Sequence, residues 1–313
     1  MSLRQSLKKG FIQLRFTSYF SPVKVPHRIH LVECPRDAIQ GWPHPIATED
    51  KLAYYRSLLR VGFDTLDLGS FVSPKAIPAM ADTGKILKQL EEENIWEQVN
   101  TKALVIVANE RGAKDAVTAP GVTHVGFPMS ISQTFQLRNT GADLNRAWER
   151  LLTIREIVEK GGHKLVVYLS MGFGNPYGDA WSPQLLMEWA AKVDNVLCPE
   201  VIALSDTIGH ADPDLLRSVF KELNKGGLNA MLGAHLHATP WAAKSKIQAA
   251  WQGGCRRFDG ALGGIGGCPM AQDKLVGNLP TEALVSFLQD HSDLNFNARA
   301  WNQAQAFAVD LFR

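Results

Sequence analysis

A (β/α)8 TIM barrel is the fold this sequence predicts, and three observations predict it. From Arg28 onward, short apolar β-branched runs alternate with longer amphipathic charged stretches, as in a parallel sheet with helical crossovers. The alternating units are eight in number, and they occupy roughly 285 residues, close to the ~250 of a typical barrel plus terminal excess. Groups suited to chemistry cluster just after the strands, where a barrel builds its site. A doubly wound open sheet is the competing fold. It would carry a Gly-rich phosphate turn after its first strand, where this chain has Cys34-Pro35-Arg36-Asp37.

Taken in order, strand Ile29–Glu33 precedes a helix over Thr48–Val61, and strand Thr65–Leu68 precedes Ala79–Asn94. Lys102–Val107 is followed by Glu110–Ala116, and Val122–Phe127 by the long amphipathic stretch Asp143–Lys160. Lys164–Met171 leads to Pro183–Val193, where Ser182-Pro183 supplies a cap and a first-turn proline. Val201–Ser205 leads to Asp212–Asn224, Asn229–His235 to Trp241–Gln252, and Arg256–Ala261 to Thr281–Gln289. Asn295–Phe312 reads as one terminal helix. No linker, repeat or low-complexity stretch marks a second domain, so 28–313 is expected to be one catalytic barrel with a C-terminal helix.

Of 313 residues, 45% are hydrophobic and 20% charged, which suits a chain with a large buried core. No apolar run is long enough to cross a bilayer, so no membrane role is expected. Cys34, Cys198, Cys255 and Cys268 form no CxxC pair, which argues against a zinc ribbon or disulfide scaffold and suits a reducing compartment. The net charge of +2 hides an asymmetry. Arg4, Lys8, Lys9, Arg15, Lys24 and Arg28 face no acid before Glu33, leaving 27 basic against 31 acidic residues beyond them. The body therefore lacks a nucleic-acid footprint. Residues 1–27 read as a basic extension: Leu3, Leu7, Phe11 and Leu14 recur at helical spacing, as in a mitochondrial transit peptide or a surface leader. The expected compartment is the cytoplasm, or the mitochondrial matrix in a eukaryote.

The chemistry gathers around His235-Leu236-His237. At the end of a strand, residues i and i+2 share a face, so two imidazoles would point together, at metal-ligand spacing. Asp37, after strand one, is a plausible anionic third ligand, and its neighbour Arg36 could neutralise a carboxylate or developing enolate. Barrel closure makes strands one, seven and eight neighbours. After strand eight, five glycines between Gly263 and Gly277 surround Cys268, a candidate acid, base or nucleophile on a mobile loop. A carboxylate and two imidazoles would leave Mn, Mg, Fe, Co or Zn open.

Six stretches, in one order, carry a resemblance. They are Pro35-Arg36-Asp37-Ala38-Ile39-Gln40, Gly69-Ser70-Phe71-Val72-Ser73-Pro74-Lys75, Ser205-Asp206-Thr207-Ile208-Gly209, His235-Leu236-His237, Gly266-Gly267-Cys268-Pro269 and Gly277-Asn278-Leu279. Together they resemble the 3-hydroxy-3-methylglutaryl-CoA lyase family, within the metal-dependent TIM-barrel lyases and Claisen-type synthases. The resemblance implies that Asp37, His235, His237 and Asn278 hold a magnesium or manganese ion. It implies catalytic roles for Arg36, Asp37, Asp67, Asp206 and Cys268, with Asp67 and Asp206 positioning the base or orienting Arg36. Gln40, Asn139, Tyr168 and Thr207, with Arg36, would lie near an acyl-CoA substrate. A homodimer is implied as well.

The implied reaction is retro-Claisen cleavage of 3-hydroxy-3-methylglutaryl-CoA to acetyl-CoA and acetoacetate. The alternatives are cleavage of another 3-hydroxyacyl-CoA, a synthase of the isopropylmalate, citramalate or homocitrate type, and an inactive acyl-CoA-binding barrel. Three departures from the family pattern stand out. Asp67 replaces a usual Glu, Ala238 replaces the usual Asp after the second histidine, and one residue is added between Cys268 and Asn278.

Overall fold

The computed structural model describes residues 28–267, 276–294 and 296–313. The N-terminal extension expected over 1–27 lies outside the described residues, as do Cys268 and Asn295. Among the described residues, no helix is long and apolar enough to cross a membrane.

The chain runs β1 (His30–Glu33), α1 (Pro35–Gly41), α2 (Thr48–Leu59), β2 (Thr65–Ser70), α3 (Thr83–Glu92), α4 (Ile95–Gln98) and β3 (Lys102–Ile106). It continues α5 (Glu110–Thr118), β4 (Val122–Ser130), α6 (Gln133–Thr140), α7 (Leu144–Lys160), β5 (Lys164–Ser170), α8 (Pro183–Leu197) and β6 (Val201–Asp206). The last part is α9 (Pro213–Lys225), β7 (Met231–Leu236), α10 (Pro240–Gln252), β8 (Arg257–Gly260), α11 (Thr281–His291) and α12 (Ala298–Leu311). The strands pair in sequence order, and β1 closes on β8 with His30 opposite Arg257 and Val32 opposite Asp259. Every strand pair is parallel, so the sheet is a closed (β/α)8 barrel.

All eight expected strands form, each within a few residues of the expected ends. Three short helices were not expected. The most consequential is α1, which starts directly after β1 with Pro35 in its first turn. Proline suits that position because its fixed φ is helical and its missing N–H has no intrahelical partner there. Helix α6 is opened by Ser132, whose hydroxyl accepts from Phe135 N. β4 runs on through Pro128 to Ser130.

Alternation along the strands sorts side chains into two environments. Leu31, Leu66, Leu68, Ile202, Leu204, Ala234, Leu236 and Phe258 belong to the large apolar layer between barrel and helices. The opposite parity fills the barrel interior. On the β3, β5 and β6 side this filling is apolar, with Leu104, Ile106, Val166, Tyr168, Val201 and Ala203. On the β1, β2, β7 and β8 side it is polar, with Cys34, Asp67, His235, Arg257 and Asp259. The interior is thus divided between a greasy half and a charged half, and the charged half supports the mouth. Outside, α12 packs on α2, with the Tyr54 ring stacked on Phe307 at 5.8 Å.

Candidate active site and metal centre

Helix α1 delivers two charged side chains to the barrel mouth from its first turn. Arg36 donates from Nη1 to Asp37 Oδ1 at 2.7 Å, and from Nε and Nη2 to the Asp67 carboxylate at 3.1 and 2.5 Å. One turn on, Gln40 Oε1 lies 3.4 Å from Arg36 Nη1. Asp67 sits on β2 with inward parity and no exposed surface. A planar guanidinium is suited to this double pairing because its donors form a fixed fork. Burial works against the Arg36 charge, but Asp67 and Asp37 outweigh it and keep the side chain cationic.

The two histidines leave β7 on the same face, with ring centroids 5.4 Å apart. His237 Nδ1 meets Val276 O at 2.9 Å, and His235 Nδ1 meets Asp259 Oδ2 at 3.2 Å. A carbonyl and a carboxylate can only accept, so both rings carry their proton on Nδ1 and direct Nε2 elsewhere. His235 Nε2 lies 3.9 Å from Asp37 Oδ2. Ligand atoms of Asp37, His235 and His237 all fall within 4.8 Å of one another.

Asn278 completes the cluster by an antiparallel bridge to His237, with Ala238 N donating to Gly277 O and Leu279 N to Leu236 O. Its Nδ2 donates to Asp37 Oδ2 at 3.0 Å and to Ile265 O at 2.9 Å, which leaves the amide oxygen as the donor a cation would take. Close packing here requires glycine at 266. Its φ is +106°, and a Cβ would sit 2.5 Å from Asn278 Nδ2 and 2.9 Å from Asp37 O.

The electrostatics of Asp37 and His237 suit a cation site. Burial raises the Asp37 carboxyl, but Arg36 and the two imidazoles more than offset this and hold it at about 2. Burial and the neighbouring His235 push His237 down, keeping it neutral. His235 is also pushed down by burial, but Asp259 and Asp37 outweigh this and draw it up. An anionic carboxylate, imidazole nitrogens and an amide oxygen are a chemically sound donor set for a divalent ion. A second group, Cys34, His235 and Asp259, meets the same distance condition deeper in the barrel. Burial and three nearby carboxylates push the Cys34 thiol well up, so the thiolate needed for ligation is disfavoured there.

The remaining expected residues divide. Tyr168 is buried with its ring edge-on to His235 at 5.3 Å. Thr207 Oγ1 accepts from Met171 N at 2.8 Å, supporting a residue held at φ +57° at the end of β5. Asn139 stands half-buried near the end of α6. Asp206 shares parity with Ile202 and Leu204 and does not turn toward Arg36. Its carboxylate accepts from Lys246 Nζ at 2.6 Å, His210 N at 2.9 Å and Ala211 N at 3.0 Å. Lys246 Nζ also donates to His237 O at 3.0 Å, and His237 N donates to Asp206 O at 3.3 Å, so Asp206 braces the backbone of a histidine. Cys268 lies outside the described residues.

Sequence reasoning missed Arg257, Asp259 and Lys246. The signal was present for the first two: in Arg257-Phe258-Asp259, charges flank an apolar residue on a strand buried on both faces. Such charges must be paired, and Arg257 Nη1 donates to Asp259 Oδ1 at 2.6 Å.

The chain is similar to proteins named as lyases. A Homo sapiens protein named hydroxymethylglutaryl-CoA lyase, mitochondrial, is 30% identical over 92% of this chain and 87% of its own length. A Bacillus subtilis hydroxymethylglutaryl-CoA lyase is 30% identical over 88% of this chain and 89% of its own. An Acinetobacter baumannii HMG-CoA lyase, solved with coenzyme A and 3-methylmalate, superposes with a TM-score of 0.80 at 27% identity, covering 91% of each chain. The HMGL-like family model matches residues 29–304, nearly the whole described barrel, and the chain belongs to the HMGL-like family.

Proposed function

We propose that this protein is a hydroxymethylglutaryl-CoA lyase, cleaving 3-hydroxy-3-methylglutaryl-CoA to acetyl-CoA and acetoacetate with a divalent cation. The observation that carries the reading is the convergence of Asp37, His235 and His237 within 4.8 Å at the mouth of the barrel, with Arg36 bonded to Asp37. The similarity to curated lyases over about nine-tenths of the chain supports it.

Asp37, His235, His237 and Asn278 would hold the cation. When bound, the ion supplies Lewis-acid polarisation of the substrate hydroxyl and a template for its carboxylate. Arg36 presents a fixed cation beside the site, placed to stabilise the negative charge that grows on the thioester oxygen as the carbon–carbon bond breaks. Asp67 holds that guanidinium in one orientation, so little reorganisation accompanies the charge shift. Cys268 is proposed to move a proton to or from the reacting carbon, a role that rests on the family resemblance. Oxygen donors at two of the four ligands suit magnesium or manganese. The family resemblance supports a homodimer, and the reduced thiols of Cys34, Cys198 and Cys255 are compatible with a cytoplasmic setting.

Incubation of the manganese-loaded protein with 3-hydroxy-3-methylglutaryl-CoA is expected to release acetyl-CoA and acetoacetate in equal amounts. Absence of both products at every metal loading overturns the proposal. Cys268→Ser is expected to keep manganese affinity while turnover falls by about 10² or more, in the range of a lost general acid–base group. Unchanged turnover would reduce the thiol to a packing role.

A further inference from the structure

His235 is offered two ways to bind a cation, and only one serves the proposed site. Through Nε2 it faces Asp37 at 3.9 Å. Through Nδ1 it faces Asp259 at 3.2 Å, in the deeper group that includes Cys34. Asp259 itself is held from the other side, since its Oδ1 accepts from Arg257 Nη1 at 2.6 Å. Room for that guanidinium inside the barrel depends on β7, where a Cβ on Gly233 would lie 2.8 Å from Arg257 Nη1. Arg257 and Asp259 are 3% and 2% exposed, so neither can exchange its partner for water.

We infer that the Arg257–Asp259 pair is a tautomer lock: it fixes the His235 proton on Nδ1 and so makes Nε2, at the barrel mouth, the ligand nitrogen. This deepens the metal reading and rests on it only for the consequence on cation binding. Arg257 holds one carboxylate oxygen, and the other is left to receive Nδ1–H. The same guanidinium places a positive charge against Asp259, which discourages a cation from settling between Cys34 and Asp259. Orientation of a ligand imidazole through its second nitrogen is commonly worth about 10- to 100-fold in metal affinity. Neither residue touches substrate in this account, so both are positioning residues.

Asp259→Asn makes the lock run backwards. Arg257 keeps the introduced amide oxygen, so the amide NH2 must face His235 Nδ1, which then has to accept. The proton moves to Nε2, and the ligand lone pair is lost. Adding Arg257→Met frees the amide to rotate, so its oxygen can again receive Nδ1–H. The expected pattern is therefore non-additive. Manganese affinity falls about 10- to 100-fold in Asp259→Asn and recovers by about tenfold or more in the double variant. A purely structural role would make the double variant the weaker binder.

The tautomer itself is read without metal, by nitrogen-15 NMR of histidine-labelled protein, above the pH at which the His235 signals show the ring has lost its second proton. The His235 signals are identified by their loss in His235→Asn. The native protein should show Nδ1–H, and Asp259→Asn should show Nε2–H. An Nε2–H ring in the native protein overturns the lock even if the variant fails to fold, as does a double variant that binds no better than Asp259→Asn. If the tautomer inverts while manganese affinity stays unchanged, the lock stands, and it is the assignment of His235 as a ligand that fails.

Discussion

Arg36→Met is expected to lower kcat by about 10³ while leaving manganese affinity within about threefold of native. The reduction follows from removing a preorganised cation next to the charge that develops in the transition state, where a single donor is typically worth about 10²–10³. Metal binding should survive because Arg36 is no ligand and its removal exposes more, not less, of the Asp37 charge to a cation. Stability should fall as well, since Asp67 is fully buried and would lose the partner that compensates its charge. Breaking a buried pair in this way typically costs about 3–5 kcal/mol. Adding Asp67→Leu separates the two effects. The double variant should regain most of the stability and none of the turnover, because replacing both charges by apolar groups is close to neutral for folding. Restored turnover would show that Arg36 acts only as a brace for Asp67. Steady-state kinetics, manganese titration and denaturant unfolding on the three proteins give the answer together.

The second large effect is expected at Glu33, on the outer face of β1. Its carboxyl is fully buried, accepting from Leu262 N at 2.9 Å and Thr281 Oγ1 at 2.5 Å. Burial dominates these bonds and raises the carboxyl from 4.5 to about 8. Between those two values the unfolded chain gives up the proton and the fold retains it. Stability from this group therefore falls as pH rises from about 4.5 to about 8 and is level above that. Glu33→Gln keeps the shape and can satisfy both partners, accepting from Leu262 N and donating to Thr281 Oγ1. It should stabilise the fold by a few kcal/mol at about pH 8.5 and by less than about 1 kcal/mol at about pH 5. Urea unfolding at the two pH values checks this. An equal gain at both, or none at the higher, removes the buried-acid explanation.

The barrel was legible because each strand is a run of β-branched or apolar residues set off by charged, helix-period segments, and only a parallel sheet uses that alternation throughout. Position after a strand also found Asp37, His235 and His237. What position alone could not supply was parity. Asp67 follows Thr65 on the inner face and meets Arg36, whereas Asp206 follows Ile202 and Leu204 on the outer face and meets Lys246. Reading β6 with its period of two would have separated the two aspartates. Helix α1 escaped notice because seven residues with a proline, two charges and a terminal glycine look like a turn when read as a pattern. The arrangement of Asn278 depends on a bridge between two segments 41 positions apart, which no local pattern encodes.

That bridge has a consequence for how the protein can change over time. The stretch joining Gly267 to Val276 springs from two fixed posts. One is Gly266, seated against Asp37 and Asn278, and the other is Val276, whose carbonyl holds His237. Ligand geometry is therefore set outside the stretch that carries Cys268. Residues can be gained or lost between the posts without disturbing the proposed cation site. The barrel thus keeps its proposed ligands on strand ends and their bridge, and leaves the sequence between Gly267 and Val276 free to diversify.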